Sequence, residues 1–208
     1  MADNNSSGVE YRINFINNSM NPGSFMIFQQ YPELNTPDSY SLAWFTKYLY
    51  PSTLGSFSWE PAYDFAWMEQ KAINARMKSV TSQCIPASLT EYNTALLTYD
   101  SGYNFVIQPD NGPEGTLYIK TDNTIPANQL GIGLGMAGAP TFLMPAQPDS
   151  NLALNPHPEY WVAFGDYEQG EILNVKEMTN SALVQFLEGV SAINVTLNPD
   201  NTWTVQPA

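Results

Sequence analysis

The feature that most constrains this chain is a period-two alternation of aromatic and branched residues, cut into short runs by proline and glycine. Val9, Tyr11, Ile13 and Phe15 fall on one face, separated by Glu10, Arg12 and Asn14. Successive side chains of a strand point to opposite faces, so this spacing predicts a half-buried β-strand. Similar runs follow at Phe25 to Phe28, Tyr40 to Phe45, Ser56 to Trp59 and Tyr63 to Trp67. They resume at Ala95 to Tyr99, Tyr103 to Gln108, Thr116 to Lys120, Gly131 to Gly138, Thr141 to Gln147 and Tyr160 to Phe164. The last unit is a hairpin, Ala192 to Leu197 and Thr202 to Val205, joined by Asn198-Pro199-Asp200-Asn201. Asp100-Ser101-Gly102 and Asp110-Asn111-Gly112 are turn signals, and the 16 prolines and 13 glycines fall mostly between runs. Many short strands with tight turns predict an all-β fold, an antiparallel two-sheet β-sandwich or jelly roll.

Residues 68–90 break the pattern. Met68 to Val80 is rich in good helix formers, yet β elements flank it on both sides and favour strand or loop. Val175 to Leu187 has room for one helical turn. No repeat of fixed period and no linker divides the chain, so the reading is a polar, disordered lead at 1–8 followed by one β domain at 9–208.

Charge excludes several functions. Seven Lys plus Arg against 20 Asp plus Glu give a net charge of −13, which opposes binding to nucleic acid or anionic membranes. The one basic cluster, Lys71, Arg76 and Lys78, reads as a solvated face. Charged residues are only 13% of this acidic protein, about half the usual ~25%, so Asn, Gln, Ser, Thr and Tyr must supply the polar surface. Met1 to Gly8 has neither a basic start nor an apolar core, so it reads as no signal peptide. The expectation is a cytoplasmic protein, with signal-less export left open. Asn-x-Ser/Thr triplets at Asn4, Asn5, Asn17 and Asn194 then carry no glycosylation. No apolar run approaches the ~20 residues of a membrane span.

The chemical inventory is thin. Cys84 is the single cysteine and His157 the single histidine, which rules out an internal disulfide and a multi-thiolate metal site. Cys84 reads as a small buried hydrophobe rather than a nucleophile. His157 lies between two prolines in Asn155-Pro156-His157-Pro158-Glu159-Tyr160-Trp161, with no Gly-x-Ser-x-Gly elbow anywhere to pair with it. Residues before proline are pushed to extended backbone, so this segment predicts a stiff entry into the Tyr160 strand rather than a catalytic base. Gly133-Leu134-Gly135-Met136-Ala137-Gly138 has the spacing of a dinucleotide fingerprint, but the following Ala139-Pro140 cannot open a phosphate-binding helix. Glycines 131, 133 and 135 instead predict a strand face that makes room for a bulky neighbour or a close backbone. Asp166, Glu168 and Glu171 form the densest acidic patch, which reads as a solvated loop rather than a calcium site. The five tryptophans, Trp44, Trp59, Trp67, Trp161 and Trp203, mostly alternate with apolar residues and read as core. No catalytic, cofactor-binding or metal-binding residue is assigned.

Several segments resemble the rhizosphere-expressed RhiA-like family. They are Asn17-Asn18-Ser19-Met20, Tyr40-Ser41-Leu42-Ala43-Trp44-Phe45, Gly131-Ile132-Gly133-Leu134-Gly135-Met136, the run from Pro145 through Asn155 to Trp161, and Leu197-Asn198-Pro199-Asp200-Asn201-Thr202-Trp203-Thr204. The likeness keeps the same order from about Tyr11 to Trp203. It implies a small, single-domain microbial protein of plant- or soil-associated settings, and supplies no activity, substrate, cofactor or catalytic residue. Two functions fit such an inventory. The first is a non-enzymatic binding or self-assembling protein acting with a host or community, whose edge strands could pair into a homo-oligomer or filament. The alternative is a carbohydrate-binding, lectin-like domain, extending to a glycoside hydrolase if two carboxylates face each other across a sugar. Pore formation, prompted by Gly131 to Met144, is a third.

Overall fold

The computed structural model describes residues 9–34, 38–69 and 82–208. The 1–8 lead with Asn4 and Asn5, the basic residues Lys71, Arg76 and Lys78, and most of the Met68–Val80 stretch lie outside the described residues. The chain is all-β. In order the strands are β1 (Tyr11–Asn17), β2 (Gly23–Gln30), β3 (Tyr40–Leu42), β4 (Phe45–Leu49), β5 (Thr53–Trp59) and β6 (Tyr63–Glu69). Next come β7 (Ser82–Pro86), β8 (Thr94–Tyr99), β9 (Tyr103–Ile107), β10 (Leu117–Thr121), β11 (Leu130–Met136) and β12 (Ala139–Pro145). The series ends with β13 (Asn151–Leu154), β14 (Glu159–Gly165), β15 (Ile172–Leu173), β16 (Ser181–Val184), β17 (Ala192–Leu197) and β18 (Trp203–Pro207).

These strands form four hydrogen-bonded sheets, in the orders β18-β17-β1-β5, β16-β14-β2-β4, β15-β3-β12-β11-β6-β7 and β13-β10-β8-β9. Most pairings are antiparallel. β1 with β17 and β8 with β10 are parallel, and the first of these joins the start of the described chain to its end. Alternation delivers the core face of β1: Ile13 and Phe15 are fully buried and Tyr11 half-buried, while Val9, ahead of the strand, is exposed.

Two large apolar clusters fill the spaces between sheets. Ile13, Phe15, Phe25, Ile27, Val162 and Val195 bring the β1 and β2 sheets together. Phe65, Leu97, Leu117, Ile119, Leu134 and Phe142 do the same for the β6–β11–β12 and β8–β10 sheets. Each such side chain stabilises the fold by about 1.5–3 kcal/mol on burial. A polar seam joins the clusters at Met136. The Trp44 indole N–H donates to the Met136 carbonyl at 2.9 Å, and the Gln29 amide donates to its sulfur at 3.3 Å. Tyr31, whose phenol pKa burial pushes up, donates its hydroxyl to Gln29 Oε1 at 2.5 Å.

The run Tyr40 to Phe45 does not form one strand. Ala43 and Trp44 split it into β3 and β4, which belong to different sheets. Trp44 turns inward to Met136, while the Ala43 N–H donates to the Glu171 carbonyl and its carbonyl accepts the Gly170 N–H, both at 2.8 Å. Asp110-Asn111-Gly112 lies in the irregular connection between β9 and β10, as a bend rather than a hairpin turn, and β9 and β10 are not partners. The Asn93 side chain donates to the Gly112 and Pro113 carbonyls and accepts the Gly112 amide, drawing that loop back across the start of β8. β10 then pairs with β8 and β13. The single turn at Val175–Glu177 is 3-10 in form, and strand β16 follows it.

Candidate functional site

The loop after β14 crosses the outer face of the β2–β14 sheet. Leu173 seats on Met26, Phe28, Ala43 and Ala163, with Trp161, Tyr167, Val175 and Met178 packed around them. Gly170, at φ 82°, supplies the left-handed residue that lets the loop reverse onto Ala43. Between this loop and the end of the sheet lies a recess of about 330 Å³, bordered by Phe164 and Tyr167 among others. Tyr167 lies against Gly165, where a Cβ would sit 3.0 Å from its ring. Burial first, and then the negative charge of Glu171, push the Tyr167 phenol pKa up, so its hydroxyl stays neutral at ordinary pH.

The polar groups around the recess fall into two kinds. Glu171 and Asn180 are committed to the fold. Glu171 Oε2 accepts the Glu168 amide at 3.1 Å, and Asn180 Oδ1 accepts the Trp203 indole N–H at 2.6 Å while its amide donates to the Asn201 carbonyl. Asn174, Glu177 and Thr179 also line the recess and are exposed, and none of their side chains has a hydrogen-bond partner among the described residues. Asn174 precedes the 3-10 turn without capping it. The lining carries no lysine, arginine or histidine. Lys176 is exposed in the same 3-10 turn beside Glu177, so the two lining carboxylates are partly offset and the local balance is weakly negative.

The residues singled out from the sequence are dispersed. His157 stands exposed, with Nδ1 3.6 Å from Glu33 Oε2, and Glu159 instead accepts the Trp161 indole N–H at 3.2 Å. Residues 155–158 form no regular structure and lead into β14, and the Tyr63 hydroxyl pins the Pro156 carbonyl at 3.1 Å. Of the acidic trio only Glu171 lines the recess, and no group of three or more His, Cys, Asp or Glu suited to a metal occurs among the described residues. Gly133 and Gly135 lie on β11 in a β-hairpin, not between a strand and a helix. The tryptophans are buried (Trp44, Trp59, Trp67) or half-buried (Trp161, Trp203), and none of the five lines the recess. Cys84 is half-buried beside Asp64. A second recess, near Leu42, Trp44 and Pro140, is bordered by Met68 and Ser82, next to residues that are not described.

Sequence reasoning missed Asn174, Glu177 and Thr179. Their only signal was an Asn-x-x-Glu spacing before a short turn, which matches a helix start as readily as a binding rim.

The profile of the RhiA family matches residues 8–208. The chain belongs to the RhiA family. It is similar to Protein RhiA of Rhizobium leguminosarum bv. viciae, at 29% identity over 207 residues, covering 97% of this chain and 88% of that one. No solved structure matches this RhiA-family chain. Among its described residues no helix is long and apolar enough to cross a membrane.

Proposed function

We propose that this RhiA-family protein is a non-enzymatic binding protein that takes its ligand in the Phe164–Asn180 recess. One observation carries the reading: Asn174, Glu177 and Thr179 stand exposed around a recess bordered by Phe164 and Tyr167, with no side-chain hydrogen-bond partner among the described residues. Pockets that bind small molecules combine an apolar surface with a few convergent polar groups, and this one has both. Hydrolysis is the weaker use of it. Glycoside cleavage needs two carboxylates facing each other across the scissile bond, whereas Glu171 braces the Glu168 amide and Glu177 stands on the open rim. The kinship with a Rhizobium protein supports a role in a plant- or soil-associated microbe. The test is a small-molecule fragment panel observed by amide NMR. Shifts that cluster in residues 164–180 support the reading; shifts scattered over the surface, or none at millimolar fragment, count against it.

A second reading, self-association, rests on a different surface. Met20, Tyr48, Tyr50 and Leu54 are 84%, 56%, 65% and 72% exposed around the corner where β4 turns into β5. Asn17 holds that corner to the β1–β2 turn by donating to the Asn21 and Leu49 carbonyls. β4 and β5 are the end strands of their sheets, the position from which a sheet can add a partner strand. Light scattering over a wide concentration range tests it: a strict monomer counts against association. Tyr50→Ser with Leu54→Asn should abolish any dimer that forms. The sandwich description is also a proposal. The two large clusters, each shared by a pair of sheets, support a pair of face-to-face sandwiches.

A further inference from the structure

We propose that the ligand of the Phe164–Asn180 recess is a short carbohydrate without negative charge, an inference that rests on the binding reading above. A sugar ring has an apolar C–H face and an equator of hydroxyls that donate and accept at once. It needs an aromatic surface with mixed donors and acceptors set around it. Phe164 and Tyr167 both border the recess and are half-buried, but Phe164 packs into the inner cluster around Phe25 and Tyr167 into the outer one around Leu173, so Tyr167 is the aromatic surface on the loop side. Phe164 packs edge-on against Phe25 at 4.9 Å between ring centroids, so its position is fixed before any ligand arrives.

The hydrogen-bonding groups are of the right mixture. Asn174 offers both an acceptor oxygen and a donor amide, Thr179 a hydroxyl that does either, and Glu177 a pure acceptor. The Tyr167 hydroxyl, held neutral, adds a donor beside the Glu171 carboxylate. Committed groups sit behind free ones: Glu171 and Asn180 fix the loop, while a ligand must still order the Asn174, Glu177 and Thr179 side chains, each at an entropic cost. The lining carboxylates set the charge rule. Glu171 and Glu177, offset only in part by Lys176 beside them, disfavour uronic acids and phosphosugars. The volume of about 330 Å³ lies at the low end of ligand pockets, roughly 300–1,000 Å³, and favours a short segment over a long chain.

The test uses the full chain and disaccharide probes of matched size: cellobiose and di-N-acetylchitobiose (neutral), chitobiose (cationic) and digalacturonate (anionic), with spermidine as a non-sugar cation. Amide NMR titration should show a neutral or amino disaccharide shifting residues 164–180, with digalacturonate silent. Glu177→Gln should restore measurable digalacturonate binding or weaken chitobiose at least tenfold. Asn174→Ala, on an exposed side chain that holds nothing in the fold, should weaken the responding sugar about tenfold. Tyr167→Phe keeps the ring and should lose less than Tyr167→Ala, with circular dichroism confirming that each variant is folded. Shifts from spermidine or digalacturonate but from no other sugar would overturn the carbohydrate assignment and leave the binding site standing. Silence from every probe, or sugar affinity unchanged in folded Asn174→Ala and Glu177→Gln, overturns the assignment; silence also tells against the binding reading itself.

Discussion

The Asp64 carboxylate accepts the Gly138 amide at 2.9 Å and so ties β6 to the turn between β11 and β12. Burial disfavours its charge and the Gly138 N–H favours it; burial is the larger effect and the carboxyl pKa rises above the ordinary aspartate value. A carboxyl with a raised native pKa holds its proton more tightly folded than unfolded. Its contribution to stability therefore falls as pH rises from the unfolded pKa through the raised one. Asp64→Asn removes that slope and keeps an oxygen for the Gly138 amide. It should equal or exceed the parent at neutral pH, by no more than about 1 kcal/mol. Urea midpoints measured from acid to neutral pH check both the slope and its loss.

Gly133 is required by the partner strand. A Cβ there would sit 2.2 Å from the Phe142 carbonyl oxygen and 3.1 Å from the Leu143 Cα, both backbone atoms that cannot swing away. Gly133→Ala should cost about 3 kcal/mol, at the upper end of overpacking effects, because the β11–β12 pair must part to admit it. Gly102, in the β8–β9 turn, has nothing within 4 Å of a Cβ. Gly102→Ala should change stability by no more than about 0.5 kcal/mol. Thermal unfolding of the two variants side by side makes the comparison.

That contrast marks what the sequence can say. The glycines at 133 and 135 were readable as sites of close approach, since alternation with Ile132 and Leu134 already put them on one strand face. The β17–β18 hairpin was legible in the same way, from two alternating runs around Asn-Pro-Asp-Asn. Pairing across distance was not. Nothing local in Arg12 to Asn17 says that its parallel partner is Ala192 to Leu197, because that choice is made by the shared cluster around Phe15 and Val195. The division into four sheets was hidden for a related reason: Ala43 and Trp44 look like strand residues, and only contacts with Glu171 and Met136 pull them out of one. The recess was least legible, since it needs Asn174, Glu177 and Thr179 to be free. Freedom from partners is a property of the folded chain.

Trp44 anchors the cluster between the β1 and β2 sheets to the end of β11. It is fully buried against Phe45, Trp59 and Tyr160, and its one polar atom is satisfied by the Met136 carbonyl. Trp44→Phe removes ring volume and leaves that carbonyl without its donor. The two losses together should cost about 2–4 kcal/mol. A lower urea midpoint with an unchanged slope would show that stability changed and the fold did not. A Trp44→Phe variant as stable as the parent would show that Met136 finds another donor.

Cys84 should be an unreactive thiol. Burial first, and then the charge of Asp64, push its pKa up to about 12. At pH 8 that leaves about one thiolate in 10,000, against roughly a quarter for a free cysteine near pKa 8.5. A thiolate of higher pKa is intrinsically more nucleophilic, which offsets part of the deficit. The net expectation is alkylation roughly 100-fold slower in the folded protein than in urea. The Asp64 contribution can be separated. Asp64→Asn removes the neighbouring negative charge, so the thiol pKa should fall and native alkylation should quicken, while the rate in urea stays as it was. Iodoacetamide labelling followed by mass spectrometry reads all four rates. Equal native rates in parent and variant would mean that burial alone governs the thiol and that the Asp64 charge does not reach it.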